Sequence, residues 1–186
     1  MTTSAVPGSS GPLIRRATTT DVGDIQALER RAGAPFRDIG LDAIADDDPP
    51  GDDDLSAAIG DGKIHVVDAP TTSRDRPRLA AWLWLGQADG DLLIEQVSAD
   101  PAFRGQRIGT RLVEYAVALA RETGVPGVCL TTFSEVPWNG PLYRRLGFVE
   151  VPPTELGDDL RRIRVAEGAA GLDVSPRIAM RRPVDV

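Results

Sequence analysis

Asp100-Pro101-Ala102-Phe103-Arg104-Gly105-Gln106-Arg107-Ile108-Gly109 joins an apolar, strand-like run (Leu92–Ala99) to an amphipathic helix expected over about Gln106–Glu122. A glycine-containing turn between a strand and a helix aims several backbone N–H groups at one point, where the helix dipole also favours negative charge. The stretch is therefore a candidate anion site. Many strand-to-helix turns carry two glycines and bind nothing, so its meaning depends on what the flanking sequence supplies.

Downstream, Ile108, Leu112, Tyr115 and Leu119 recur at helical spacing, and Val113, Ala116 and Ala120 widen the stripe. Thr123-Gly124, with Pro126 beyond, ends this helix. Val128–Thr132 then reads as a short buried strand, and the order strand, crossover helix, strand makes it parallel to Leu92–Ala99 in one sheet. A helix over about Asn139–Leu146 closed by Gly147, a strand Phe148–Val151, a charged helix over roughly Glu155–Glu167 and a last strand Arg177–Arg182 complete this half. The cluster Arg161-Arg162-Ile163-Arg164 balances neighbouring acids on that charged helix.

Upstream, Leu13–Ala17 predicts a short strand. Thr18-Thr19-Thr20-Asp21 offers N-caps for a helix through about Arg31, with Val22, Ile25 and Leu28 on one face. A shorter helix is expected over Leu41–Ala45. Asp46–Asp54, with six aspartates and two prolines, predicts a solvated loop; its spacing does not fit an EF-hand. Lys63–Asp68 predicts a strand, Ala69–Pro77 a polar turn region, and Arg78–Leu85 a strand hairpinned through Asp89-Gly90 to the next. Trp82 and Trp84 share one face of that strand, a spacing that most often means core and less often the wall of a substrate site. The fold class is α/β (α+β): a mixed, mostly antiparallel central sheet with one βαβ unit.

A chain of 186 residues with 41% hydrophobic composition can bury a proper core, and one domain over 13–186 behind a flexible tail over 1–12 is expected. No apolar run is long enough to span a bilayer and Met1–Gly11 lacks the layout of a secretory signal, which predicts a soluble, cytoplasmic protein without a membrane partner. The sole cysteine, Cys129, and the sole histidine, His65, exclude an internal disulfide and a Cys/His zinc site; both fall in apolar, strand-like runs. A formal net charge of -7 argues against nucleic acid as a partner and favours cationic or amine ligands.

Two residues stand out as chemistry. Glu95 is mid-strand in Leu92-Leu93-Ile94-Glu95-Gln96-Val97, where a carboxylate is costly to bury unless something uses or satisfies it. Strand alternation puts it on one face with Leu93, Val97 and Ala99, where it could act as a general base near a phosphate-bearing ligand. Tyr143 lies one helical turn after Asn139, on the same face.

Arg104-Gly105-Gln106-Arg107-Ile108-Gly109 resembles the acetyl-CoA motif of the GCN5-related N-acetyltransferases (GNAT), Arg/Gln-x-x-Gly-x-Gly/Ala. Asn139-x-x-x-Tyr143-x-x-x-Gly147-Phe148 is similar to that family's second motif, and the resemblance extends over about Leu13 to Arg182. One departure is Arg107, which stands where the family usually has glycine; its side chain could hinder backbone approach to phosphate or contact a CoA phosphate. The resemblance implies a GNAT-like fold with strands splaying around Val97 and Val128 to admit the pantetheine arm. It implies acetyl-CoA as co-substrate, with backbone groups of Val97, Ser98 and Ala99 pairing with that arm. N–H groups from Gly105, Gln106, Arg107, Ile108, Gly109 and Thr110, beside Arg104, would hold the pyrophosphate. It further implies that Asn139 hydrogen-bonds CoA, that Tyr143 protonates the departing thiolate, and that Glu95 is the base, directly or through water.

The chemistry agrees with these roles. An alkylamine, with a reference pKa of about 10, must lose a proton before it attacks a thioester, and the leaving thiolate needs a donor; no metal is required. The implied reaction is direct acetyl transfer to a primary amine of a small molecule. The alternatives are a non-catalytic CoA-binding or sensing module, or an acyltransferase using another acyl-CoA or a peptide amine. The acceptor site is expected between the loops around Phe36–Pro50 and Phe133–Trp138. Dimerisation is common in the family, and a homodimer is compatible with the sequence.

Overall fold

Seven strands form one sheet in the order β1-β2-β3-β4-β5-β7-β6, in a computed structural model that describes residues 13–70 and 79–185. The tail expected over 1–12 and the polar turn region from residue 71 onward lie outside the described residues. The strands are β1 (Ile14–Arg16), β2 (Ile64–Asp68), β3 (Leu79–Ala88), β4 (Asp91–Ala99), β5 (Gly127–Phe133), β6 (Val149–Val151) and β7 (Arg177–Pro183). Every neighbouring pair is antiparallel except β4 and β5, which are parallel. The helices are α1 (Val22–Gly33), α2 (Asp42–Ala45), α3 (Asp52–Gly60), α4 (Ile108–Thr123), α5 (Gly140–Arg145) and α6 (Asp158–Ala169). The mixed, mostly antiparallel sheet with its βαβ crossover is the fold that the apolar patterning implied. Among the described residues no helix is long and apolar enough to cross a membrane.

The β3–β4 hairpin closes on Asp89 (φ 52°) and Gly90 (φ 84°), both left-handed, which matches the right-handed twist of the flanking strands. Alternation along β3 then sorts the core. Leu83 and Leu85 pack with Leu112, Val113 and Ala116 of α4 on one face. Trp82 packs on the other with Ile25 and Leu28 of α1 and Leu55 of α3. Further along that second face, Leu93 and Cys129 meet Leu160 of α6. Cys129 is fully buried, and burial pushes its thiol up to about 12, so it is a core residue without nucleophilic character.

The start of α1 is anchored by charge. Asp21 accepts from Arg15 Nη1 and Nη2 (2.9 Å each) and from the Thr18 backbone N–H (2.8 Å), while Arg15 also reaches Asp68 on β2 (2.7 Å). Hydrogen bonding from the Arg15 guanidinium holds the Asp21 carboxyl down at about 2.

Three expectations are corrected. The aspartate-rich segment is not a loop throughout: after Gly51, residues Asp52, Asp53 and Asp54 form the first turn of α3, where negative charge complements the helix dipole, and Leu55 and Ala58 give that helix a buried face. The β3–β4 register pairs Trp84 with Gln96 but Leu85 with Ile94, so Glu95 is the extra residue of a β-bulge. The bulge breaks the alternation: Leu93 packs towards α6, whereas Val97 and Ala99 pack towards α4, and the single face assumed for all four residues does not exist. Finally, Val128 is paired with Leu92 and lies in the closed part of the sheet; β4 and β5 part only beyond the Ile94–Leu130 pair.

Candidate active site

Beyond Leu130, β5 stays paired with β7, as far as Phe133 with Arg177, and β4 stays paired with β3, as far as Ala99 with Ala81. The facing edges of β4 and β5 are left open to each other, forming a wedge through the sheet. Around it lies a cleft of about 690 Å³ that reaches both sheet faces.

At the α4 end, Val97, Ser98 and Ala99 form the β4 edge of the cleft, and the turn after it contributes Arg104, Gly105 and Arg107. Ile108, Gly109 and Thr110, the first turn of α4, also line it. Gln106 does not line the cleft, and its N–H is used by the Phe103 carbonyl (3.2 Å). The N-cap of α4 is Arg107, at φ 56° and ψ 26°, and it provides no side-chain hydrogen bond to the first helical turn. The amides of that turn therefore have no capping side chain, which is the arrangement that receives an anion. The left-handed backbone of Arg107 also explains in physical terms why glycine suits this position.

Asp100, at the mouth of the turn, is buried, caps Ala102 N–H (2.9 Å) and accepts from Arg31 Nε (2.8 Å), which ties the end of α1 to the end of β4. This link was not read from sequence; a lone Asp after a strand carries no signal for a partner 69 residues away.

On the β5 side, Asn139 Nδ2 donates to Thr132 Oγ1 (2.9 Å), while Asn139 Oδ1 is buried with no partner among the described residues. Gly140 makes this placement possible, since a Cβ there would collide with the Ser134 carbonyl. One turn on, Tyr143 is 7% exposed, lines the cleft and packs edge-on to Phe148 (centroids 5.7 Å). Burial pushes its phenol up to about 12, so it holds its proton at neutral pH.

Glu95, in the bulge, lines the same cleft, and its carboxylate lies over Gly86, where a Cβ would collide with it. Partial burial raises its pKa, offset in part by Lys63. The structure thus brings Glu95, Asn139, Tyr143 and the α4 turn to one cleft.

The α1 end holds a residue that sequence reading missed. Glu29 accepts from Trp82 Nε1–H (2.7 Å) and Gln96 Nε2 (2.5 Å) and lines the cleft beside Trp84, with Asp47 and Asp48 from the loop before α3. Burial raises its pKa, and hydrogen bonds from Trp82, Ser98 and Gln96 offset this only in part. A carboxylate one turn after Ile25, on the edge of a buried helical stripe, was the available signal. Aromatic rings close this end: Phe36 stands edge-on to Trp138 (5.4 Å) and near Phe133 (5.8 Å), and Arg104 lies over Trp138 (5.9 Å).

Residues 72–150 match the family described as the acetyltransferase (GNAT) domain. "Probable N-acetyltransferase camello" of Xenopus tropicalis is 37% identical over 71 residues, which is 36% of this chain and 32% of that protein. The fold is shared with N-acetylglutamate synthase of Neisseria gonorrhoeae, solved with coenzyme A and N-acetyl-glutamate (TM-score 0.67, 17% identity, 96% of this chain and 36% of that one). It is also shared with PaiA N-acetyltransferase of Thermoplasma acidophilum, solved with coenzyme A (TM-score 0.64, 13% identity, 93% and 99%). The match to the Xenopus protein and that to the Neisseria synthase each span about a third of the other protein. The sequence of residues 72–150 thus resembles the acetyltransferase (GNAT) domain, and the sheet built around it has the fold of these coenzyme A-bound structures.

Proposed function

We propose that the protein transfers the acetyl group of acetyl-CoA to a primary amine of a small molecule by direct attack of the amine nitrogen. The observation that carries this reading is the convergence of Glu95 and a buried, protonated Tyr143 on one cleft that also contains the uncapped start of α4. Acetyl-CoA, as co-substrate, supplies an acyl group activated as a thioester. The amides of Ile108, Gly109 and Thr110, with Arg104 and Arg107, suit its pyrophosphate. The open edge at Val97, Ser98 and Ala99 and the unpartnered Asn139 Oδ1 suit its amide-bearing arm.

Glu95 then takes a proton from the acceptor ammonium, and the freed nitrogen forms the new bond to the acetyl carbon. Tyr143 gives its proton to the sulfur as the C–S bond breaks. The attacking nitrogen sheds its second proton to water as the amide forms, so the amide, free CoA thiol, a protonated Glu95, a Tyr143 phenolate and one released proton balance the step; proton uptake by Tyr143 and release from Glu95 then reset both groups.

The test is release of CoA thiol from acetyl-CoA by the purified protein across a panel of primary amines. Release that depends on an amine supports transfer. Acetyl-CoA binding with no release for any amine would make the chain a CoA-binding or sensing module, and no binding at high micromolar acetyl-CoA would remove the reading at its first step.

A further inference from the structure

Among the described residues, the buried or nearly buried carboxylates share one habit. Asp21 pairs with Arg15, Asp91 with Arg181, Asp100 with Arg31 and Glu167 with Arg177, each at 2.5–2.9 Å. Glu29 departs from it. Its side-chain hydrogen bonds come from neutral donors, Trp82, Gln96 and Ser98, and among the described residues no arginine or lysine pairs with it. A largely desolvated carboxylate without a counter-charge is costly to keep unless a cation reaches it from outside. The cleft provides that access. Among the described residues the lining arginines, Arg104, Arg107 and Arg177, make no ion pair with Glu29, and the charged group that acts on it along the cleft is an anion, Asp47.

The position of Glu29 also fixes which cation it takes. Its donors Trp82 and Gln96 hold it on the α1 side of the sheet, away from α4. A carboxylate in contact with an ammonium stabilises the charged form of the amine. That would oppose attack if the contact were to the reacting nitrogen, so the group docked on Glu29 is one that stays protonated. We propose that Glu29 binds a second, non-reacting ammonium group of the acceptor, and that the preferred acceptors are therefore aliphatic diamines or longer polyamines. This rests on the acetyl-transfer reading above and assigns its substrate class.

The experiment compares 1,4-diaminobutane with n-butylamine, and 1,3-diaminopropane with n-propylamine, as acceptors for the full chain with acetyl-CoA. The wild-type protein is expected to favour the diamine by about tenfold or more in kcat/KM, carried by KM, as a charge-assisted hydrogen bond in a partly desolvated site would give. Glu29→Gln, which keeps the side-chain shape, is expected to erase that preference while acetyl-CoA affinity stays within about twofold of wild type, which also reports that the variant folds. Equal use of mono- and diamine by the wild type overturns the proposal, as does a preference that survives Glu29→Gln. A fall in kcat equal for both amines also overturns it, because Glu29 would then act on the reacting nitrogen. If the wild type releases CoA with no amine at all, the transfer reading fails, and calorimetry of 1,4-diaminobutane with CoA-saturated protein decides the site separately. Binding lost in Glu29→Gln keeps the ammonium site, and no binding removes it.

Discussion

At its α4 end the cleft runs along one continuous stretch of chain, the open edge of β4, the turn after it and the uncapped first turn of α4. At its α1 end it is lined by side chains: Glu29 from a helix, Trp84 from β3, and Phe36 and Trp138 from two separate loops. The contrast separates what the two ends can recognise. Backbone amides at a helix start receive any phosphate of the right reach and tolerate changes in the side chains around them. A side-chain wall defines one acceptor and changes with each residue that builds it. The proposed chemistry falls between the two, where Glu95 and Tyr143 line the cleft.

The largest expected effects come from those central residues. Tyr143→Phe and Glu95→Gln are each expected to lower turnover about 100-fold or more while leaving acetyl-CoA affinity within about twofold, measured by steady-state thiol release and calorimetry. Loss of affinity to the same extent as turnover would make either residue part of the cofactor end instead. For Glu95 the pH profile adds a sign. As the proposed base, Glu95 works deprotonated and its pKa is raised by burial, so the acid limb of kcat/KM should lie above the ordinary glutamate value and vanish in Glu95→Gln.

Gly140→Ala tests the seam between the ends. The added methyl meets the Ser134 carbonyl, which is backbone and cannot swing aside, so α5 must shift and carry Asn139 and Tyr143 with it. A stability loss of about 2 kcal/mol in urea unfolding is expected, with acetyl-CoA affinity and turnover falling together. An unchanged affinity would show that Asn139 does not help to hold the cofactor.

The same contrast explains what could be read before the fold was known. The α4 end was legible because one contiguous segment, Asp100 to Gly109, encodes it through turn and helix-start chemistry. The β3–β4 hairpin and the parallel β4–β5 pair followed from alternation and from the crossover around α4, whereas the place of β7 between β5 and β6 did not. Glu29 escaped because its meaning depends on Trp82 and Gln96, 53 and 67 residues away, and nothing in an α1 stripe announces them. The bulge at Glu95 escaped because a single inserted residue changes register without changing composition. Asp52–Asp54 misled because like charges suggest solvation, whereas a helix start stabilises them.

Asp21→Asn perturbs the α1 end from a distance. The carboxyl at about 2, against an ordinary 3.8, corresponds to about 2 kcal/mol of stability. Because the folded value lies below the unfolded one, that stability is fully present above the ordinary value and is lost as pH falls through about 2. The variant should be less stable than wild type by about this amount at pH 7, with the difference closing under acid, as chemical unfolding at several pH values would measure. Since Asp21 anchors the start of α1, the variant should raise the KM for the amine more than the Kd for acetyl-CoA.

Arg107 carries the smallest expected change and the finest distinction. Its left-handed backbone costs a non-glycine residue about 1 kcal/mol, while glycine in its place adds about as much freedom to the unfolded chain. Arg107→Gly should therefore leave the melting temperature nearly unchanged, and Arg107→Ala, which keeps the strain, should do the same. The guanidinium is exposed and lines the cofactor end, so its removal in either variant should weaken acetyl-CoA binding by only a few-fold, an effect that shrinks as salt rises. Equal losses in the glycine and alanine variants would assign that contribution to charge. Tighter binding in glycine alone would mean that the Cβ keeps the backbone from the pyrophosphate, and the α4 end would then be limited by shape in the way the α1 end is.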